Sequence, residues 1–243
     1  GTADNICLKE GPYGLGLFPE DQARPIKLHI PDSLLVDHKF AGFENGAFRL
    51  AEDAAVGARE RAFLERYEND LSWPSGKREI ETVFEIMQEA SPELRELLRK
   101  SYYAHRWVSD PTDETIQQRF LDARVIHYKD KDVIMPFVEL ANHGQAAQYQ
   151  RDDGVGLSGV FADEVLARYQ AADPLQIFGK WGFASNGEPF ALSIHIRNDS
   201  AGLVVERQDP NPETATPPFM PTVTRDPMGR LTLSYMLLGH RQR

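Results

Sequence analysis

Apolar residues change their spacing along the chain, and each change predicts a change of element. From Leu8 to about Val36 they come in short runs broken by glycine and proline. Gly11-Pro-Tyr-Gly-Leu-Gly-Leu-Phe-Pro is glycine-punctuated, and Ile26-Lys-Leu-His-Ile alternates with period two before Pro31. Alternation bounded by turn formers predicts β-strands. Between about Glu44 and Phe120 the texture shifts to Ala, Glu, Arg and Leu. Phe48, Leu50, Ala54 and Ala55, then Ala58, Ala62 and Leu64, keep approximately helical spacing, with Gly57 as a weak point. Trp73-Pro74-Ser75-Gly76 reads as a break, after which Ile80, Val83, Phe84 and Met87 fall at i, i+3, i+4 and i+7 of an amphipathic helix. Ser91-Pro92-Glu93 predicts a fresh helix start: serine caps exposed amides, proline suits the first helical position, and glutamate complements the positive end of the dipole.

From Val125 the β texture returns. Val133-Ile-Met-Pro-Phe-Val, Leu175-Gln-Ile-Phe and Phe190-Ala-Leu-Ser-Ile-His-Ile read as strands, and Leu157 to Tyr169 is mixed. Proline concentrates after Asp209, which predicts a loop or clasp. Leu231 to Leu238 is a strand or a short helix, because periodicity does not arbitrate for so short an apolar run. No internal repeat is visible. Strands, then helices, then strands predict an α+β fold with an inserted helical subdomain rather than a regular βαβ sheet.

The 243 residues carry 27 Lys+Arg against 37 Asp+Glu, a formal charge of −10. That balance makes duplex nucleic acid a poor partner and a cationic substrate a good one. At 41% apolar and 26% charged residues, the chain is neither disordered nor fibrous in composition. No run approaches the roughly 18 apolar residues of a membrane span, and the opening residues lack a basic region followed by an apolar one. Neither membrane association nor export is expected. Cys7 is the single cysteine, so an internal disulfide framework and a multi-thiolate zinc site are both ruled out, and a cytoplasmic location is the expectation.

Candidate chemistry is sparse. The seven histidines are scattered without metal-ligand spacing, so no metal site is expected. Gly156-Leu-Ser158-Gly lacks the spacing of a nucleophile elbow. Asp152-Asp153 and Asp163-Glu164 read as solvated turn or surface carboxylates. Tyr13-Gly14-Leu15-Gly16-Leu17 has two glycines that let backbone approach a ligand or simply close a hairpin, and it has neither the lysine of a phosphate loop nor the third glycine of a dinucleotide site. The sharpest feature is Met135-Pro-Phe-Val-Glu139-Leu-Ala-Asn142-His143-Gly144, where an apolar stretch runs into Asn-His and glycine. An asparagine there can both donate to and accept from a polar small molecule, or satisfy a turn.

Pro-Phe-Val-Glu-Leu-Ala-Asn-His resembles the Pro-x-x-Asp-x-x-Asn-His signature of SET-domain protein lysine methyltransferases, in particular the branch similar to the Rubisco large-subunit methyltransferase, whose SET domain is split by a helical insert. Three further segments resemble that family in the same order. Gly14-Leu-Gly-Leu-Phe is similar to its Gly-x-Gly loop, Ile30-Pro-Asp-Ser-Leu-Leu-Val to its following Val-Pro-x-x-Leu-x-Ile segment, and Trp181-Gly-Phe-Ala-Ser185-Asn186-Gly-Glu188 to its Tyr-x-x-x-Ser-Asn-x-Glu stretch. The resemblance spans roughly residues 8–197.

It implies a mostly-β SET domain of short sheets with a pseudoknot-like crossing, its N-terminal part at 1–43 and its C-terminal part at 121–199. The helical insert would occupy 44–120, with a short extension at 200–243. It implies S-adenosylmethionine as cofactor, gripped around Tyr13, Gly14, Leu15 and Gly16, by Asn142 and His143, and by Arg124 or else Arg119, with Glu139 in place of the usual aspartate and Trp181 at a tyrosine position. The implied substrate is a basic residue of a protein or peptide, and the implied activity is methyl transfer to a lysine amine. The family places a tyrosine hydroxyl beside the transferring methyl. Counting on from Ser185-Asn186 lands on Ile194, which has no hydroxyl, so Tyr235 is the first candidate for that role, with Tyr149 and Tyr169 as alternatives. The same gap motivates a second reading, a degenerate SET fold that binds a peptide or partner protein without transferring methyl. The stretch after Ile196 is too short for the helical substrate-binding domain usual in the branch, so substrate identity does not carry over.

Overall fold

The computed structural model describes residues 1–101, 104–169, 174–184, 190–191, 196–198, 203–205, 223–225, 227, 231–233 and 236–237. The chain divides into two compact units, Gly1–Glu85 with Asp110–Tyr169, and Ile86–Ser109 with Gln170–Arg243. In chain order the first unit begins with β1 (Thr2–Asp4), β2 (Ile6–Gly11), β3 (Gly14–Pro19), β4 (Ile26–Ile30), β5 (Val36–Asp37), β6 (Ala41–Glu44) and β7 (Ala47–Leu50). Next come helices α1 (Ala58–Tyr67) and α2 (Trp73–Glu89), the latter running past the unit boundary. Helix α3 (Pro92–Lys100) belongs to the second unit. The first unit resumes with α4 (Asp113–Ala123), β8 (Val125–Tyr128), β9 (Lys131–Ile134), β10 (His143–Ala147) and β11 (Val155–Gly159). The result is a mixture of helices with short, mostly antiparallel sheets.

Two hairpins set the register of the first unit. In β2–β3, Gly11 pairs with Gly14 around the two-residue turn Pro12-Tyr13, and Gly14 takes φ +91°, a conformation that costs a side-chain-bearing residue but not glycine. In β6–β7, Asn45 and Gly46 both sit at positive φ between Glu44 and Ala47, the geometry a tight hairpin demands. That Asn-Gly turn makes Phe48 and Leu50 strand residues, both buried, with Arg49 exposed between them. The helical spacing expected from Phe48 onward therefore begins only at Ala58.

Strand β4 is the middle of a sheet ordered β1-β4-β11, and its period-two pattern buries Ile26, Leu28 and Ile30 while Lys27 stays exposed. These three pack with Leu17, Val155 and Leu157 and with the turn Val138–Ala141. A second sheet is ordered β5-β9-β8.

Trp73-Pro74-Ser75-Gly76 is not a break. A π-helical turn, Glu68–Ser72, joins α1 to α2 with helical backbone at both junctions. Pro74 has no N–H and its ring crowds the carbonyl one turn back, which a locally widened helix accommodates. Gly76 faces α4. A Cβ there would lie 2.7 Å from the Phe120 ring and 2.6 Å from the Arg124 guanidinium, so the two helices approach over a bare backbone.

In the second unit the predicted cap forms: the Ser91 side chain accepts from the amide of Leu94 at 3.2 Å, with Pro92 in the first turn of α3. Leu175-Gln-Ile-Phe is not a strand but part of α5 (Pro174–Trp181). Pro174 opens the helix, Ile177 is fully buried, and Trp107 Nε1 donates to the Gly179 carbonyl at 3.1 Å. The remaining strands are β12 (Phe190–Ala191), β13 (Ile196–Asn198), β14 (Leu203–Val205), β15 (Val223–Arg225), β16 (Leu231–Leu233) and β17 (Met236–Leu237). They form a β12–β17 pair and a sheet ordered β13-β14-β16-β15. Among the described residues no helix is long and apolar enough to cross a membrane.

Candidate active site

The alternation of β3 and its register with β2 place Gly11, Gly14, Gly16 and Phe18 on one face of the hairpin. Three polar side chains lie over this glycine floor. A Cβ on Gly16 would overlap the Glu164 carboxylate and lie 3.0 Å from Asn142 Nδ2. One on Gly11 would lie 3.1 Å from Glu164 Oε2, and one on Gly14 would lie 3.2 Å from Glu79 Oε1. Tyr13 stands at the tip of the turn, 62% exposed.

Asn142 is delivered by an unusual piece of backbone. Phe137 has φ +66°, and the Val138 amide donates to the Pro136 carbonyl at 2.9 Å, a strained γ-turn for a residue with a bulky side chain. A 3₁₀ turn, Val138–Leu140, follows and leads to Asn142. Asn142 Nδ2 donates to Glu164 Oε1 at 2.6 Å and to the Leu15 carbonyl at 3.4 Å, so the asparagine and the glycine hairpin meet directly.

The segment 164–169 is bonded on both sides. Val165 N donates to the Leu17 carbonyl, Ala167 N to the Asn142 carbonyl and Arg168 N to the Ala147 carbonyl, each at 2.8 Å. Tyr169 closes it. Its amide donates to His143 Nδ1 at 3.4 Å, its ring meets the His143 ring edge-on at 5.1 Å, and its hydroxyl donates to the Ala141 carbonyl at 3.0 Å. Burial raises the Tyr169 phenol above its ordinary range, with Arg124 pulling the other way, so it stays protonated.

Next to the site lies a group of charges in which Glu68 and Glu139 are buried, Arg124 is partly buried and Glu79 is exposed. Arg124 pairs with Glu79 at 3.5 Å. Burial works against its charge, but Glu139, Glu79, Tyr67 and Glu68 outweigh that, and the guanidinium is held above its usual value. Glu139, 6% exposed, accepts on Oε1 from the Tyr67 hydroxyl at 2.9 Å and from Ser72 Oγ at 2.5 Å, while its Oε2 has no partner. Both oxygens of Glu68, 1% exposed, also lack one. Burial pushes both carboxyls up; Glu139 adds to the rise at Glu68, and Arg124 partly offsets it at each.

Of the residues singled out from the sequence, Gly14, Leu15, Gly16 and Asn142 are in direct association. His143 joins through Tyr169, and Arg124 through Glu79, which faces Gly14. Glu139 is aimed at Tyr67 and Ser72 rather than at the hairpin. Arg119 is buried and paired with Asp122. Trp181 lies in the second unit, at the end of α5, with the Lys180 ammonium 4.8 Å from its ring centroid. Tyr235, Ser185, Asn186 and Ile194 lie outside the described residues. Asp163 is exposed, as expected, but Glu164 is buried: the chain bends at these residues, and the two neighbouring carboxylates differ in burial. Glu79, Tyr67 and Glu68 carry no local sequence signal, since each gains its place from the packing of a helix. Among the described residues, no group of three His, Cys, Asp or Glu side chains could hold a metal ion.

No family model matches the sequence, and no curated protein does. Among solved structures, the chain is similar to the SET domain of LSMT bound to lysine and AdoHcy, at 14% identity and a TM-score of 0.36. The match covers 76% of this chain and 54% of that one, so the chain spans about half the length of that structure.

Proposed function

We propose that the protein is an S-adenosylmethionine-dependent methyltransferase acting on the lysine amine of a protein or peptide. The observation that carries the reading is the Asn142 amide bridging the Leu15 carbonyl and the Glu164 carboxylate over the bare Cα of Gly16. The donor set fits the cofactor's chemistry. Backbone carbonyl, neutral amide and carboxylate together favour a ligand that is cationic and polar, and the missing side chain of Gly16 lets Asn142 and Glu164 sit directly on the strand.

When bound, S-adenosylmethionine supplies an electrophilic methyl group on a sulfonium sulfur. The chain's part is positioning, because an in-line displacement depends on alignment and on excluding water. Gly14 and Gly16 provide the floor, and the Leu15 backbone and the side-chain carbonyl of Asn142, whose amide hydrogens are directed at Leu15 and Glu164, orient the ligand. Arg124 and Glu79 hold α2 against the hairpin's open face. Among the described residues, Tyr169 is the phenol we assign to the reaction. Its hydroxyl donates to the Ala141 carbonyl, and its ring meets His143. Tyr149 is the other described alternative, and its buried hydroxyl has no partner. The net charge of −10 suits a basic peptide.

Titration calorimetry with S-adenosylmethionine and its demethylated product tests the cofactor half, and binding lost in Asn142→Ala is the expected outcome. Methyl incorporation into lysine-rich peptides, followed by mass spectrometry, tests the other half. Tyr169→Phe is expected to lower turnover about 10²–10³-fold with cofactor affinity retained. Absence of cofactor binding by the intact chain overturns the reading. Cofactor binding without turnover on any basic peptide reduces the protein to a binding module.

A further inference from the structure

Glu164 is the buried, incompletely paired group that lies against the glycine hairpin itself. The residue is buried, 8% exposed, and the backbone that follows it is fixed from both sides, by Val165 on β3 and by Ala167 on Asn142. Oε1 has a partner in Asn142 Nδ2 at 2.6 Å. Oε2 is buried with no hydrogen-bond partner, and it lies where a Cβ on Gly11 would come within 3.1 Å. The charged neighbour acting on this carboxylate is Asp163, of the same sign. A buried carboxylate oxygen without a donor is costly, and this one is held in place rather than turned out to solvent. The two hydrogens of the Asn142 amide are already directed at Leu15 O and Glu164 Oε1, so the asparagine has none left for Oε2.

We infer that Glu164 is a recognition residue for a primary ammonium group, the α-ammonium of the cofactor's amino-acid moiety, which would donate to Oε2 and to the Leu15 carbonyl above the glycine floor. This rests on the cofactor reading proposed above and adds a specific contact to it. An ammonium has three donors and a full charge, so it matches a carboxylate oxygen together with a backbone carbonyl. The same chemistry could be offered by the substrate's lysine, and the test separates the two sources.

The probes are S-adenosylhomocysteine, its desamino analogue and a lysine-rich peptide, each titrated by calorimetry into the full chain. If the cofactor's ammonium is the partner, wild-type protein binds S-adenosylhomocysteine about 10- to 100-fold more tightly than the desamino analogue, the range of a charge-assisted hydrogen bond. Glu164→Gln, which keeps an oxygen for Asn142, is expected to weaken S-adenosylhomocysteine by a similar factor and to leave the desamino analogue and the peptide unchanged. Equal affinity of the wild type for the two nucleosides overturns the inference without recourse to any variant. So does unchanged or tighter S-adenosylhomocysteine binding by Glu164→Gln, or an effect of that variant confined to the peptide. In each of these cases the cofactor reading survives, whereas failure of wild-type protein to bind S-adenosylhomocysteine at all removes both.

Discussion

Glu68 and Glu139 show how far a single residue's surroundings can reverse an ordinary expectation. Burial, and for Glu68 the charge of Glu139, raises both carboxyls above their normal pKa. A carboxyl whose folded pKa is raised binds its proton more tightly in the native state, so it contributes stability as pH falls through that raised value toward about 4.5 and withdraws it as pH rises. Each unit of elevation is worth about 1.4 kcal/mol. Glu68→Gln, isosteric and uncharged, is therefore expected to raise stability at about pH 8 and to flatten the rise in stability seen on acidification to about pH 5. Urea unfolding of both proteins across that range measures the difference, and an unchanged slope would show that Glu68 does not hold the proton. Arg124 works in the opposite sense. Arg124→Met leaves Glu139 and Glu68 without their balancing charge, and a loss of about 3 kcal/mol is expected by thermal melting. At Gly16 a single methyl group is decisive. Gly16→Ala would drive a Cβ into the Glu164 carboxylate and against Asn142, so a loss of nucleoside binding is expected, read by calorimetry, with a destabilisation of about 1–3 kcal/mol.

At the level of elements, helix propensity and tertiary fit point in opposite directions at Gly76. Alanine is the better helix former by about 1 kcal/mol, yet its Cβ would meet Phe120 and Arg124 inside van der Waals distance. Gly76→Ala is expected to destabilise by about 1–2 kcal/mol in urea, and a gain in stability would show that α2 and α4 have room to separate. Ser91 lacks such a conflict: Ser91→Ala removes the cap of α3 and should cost about 1 kcal/mol. These two positions also show what sequence can tell about an element. The Ser-Pro-Glu start of α3 was legible because capping chemistry is local. The start of α2 was not, because Trp-Pro-Ser-Gly is equally the composition of a turn, and only the π-helical junction decides for helix. The strand at Phe48 was misread by spacing but was written in Asn45-Gly46, a turn signal with its own backbone reason. Leu175 to Phe178 is too short an apolar run for periodicity to separate strand from buried helix.

Over the whole molecule, the net charge of −10 sets the long-range behaviour toward partners. Capture of a lysine-rich peptide is expected to weaken as ionic strength rises from about 0.05 M to about 0.5 M, and a salt-independent affinity would count against electrostatic steering. The alternation of Ile26, Leu28 and Ile30, the amphipathic spacing of α2, the cap of α3 and the glycine hairpin were determined by sequence alone, since each depends on neighbours within one turn or one strand. The order of strands, helices and strands likewise predicted the mixed architecture. Tertiary structure alone decided that Asn142 reaches Leu15 across 127 positions of chain, and that Glu164 turns inward while Asp163 faces water. It also decided that Glu68, Glu139 and Arg124 share one buried pocket of charge. Burial and pairing between segments far apart in sequence are properties of packing, and no local pattern of residue types encodes which distant side chain will supply the missing partner.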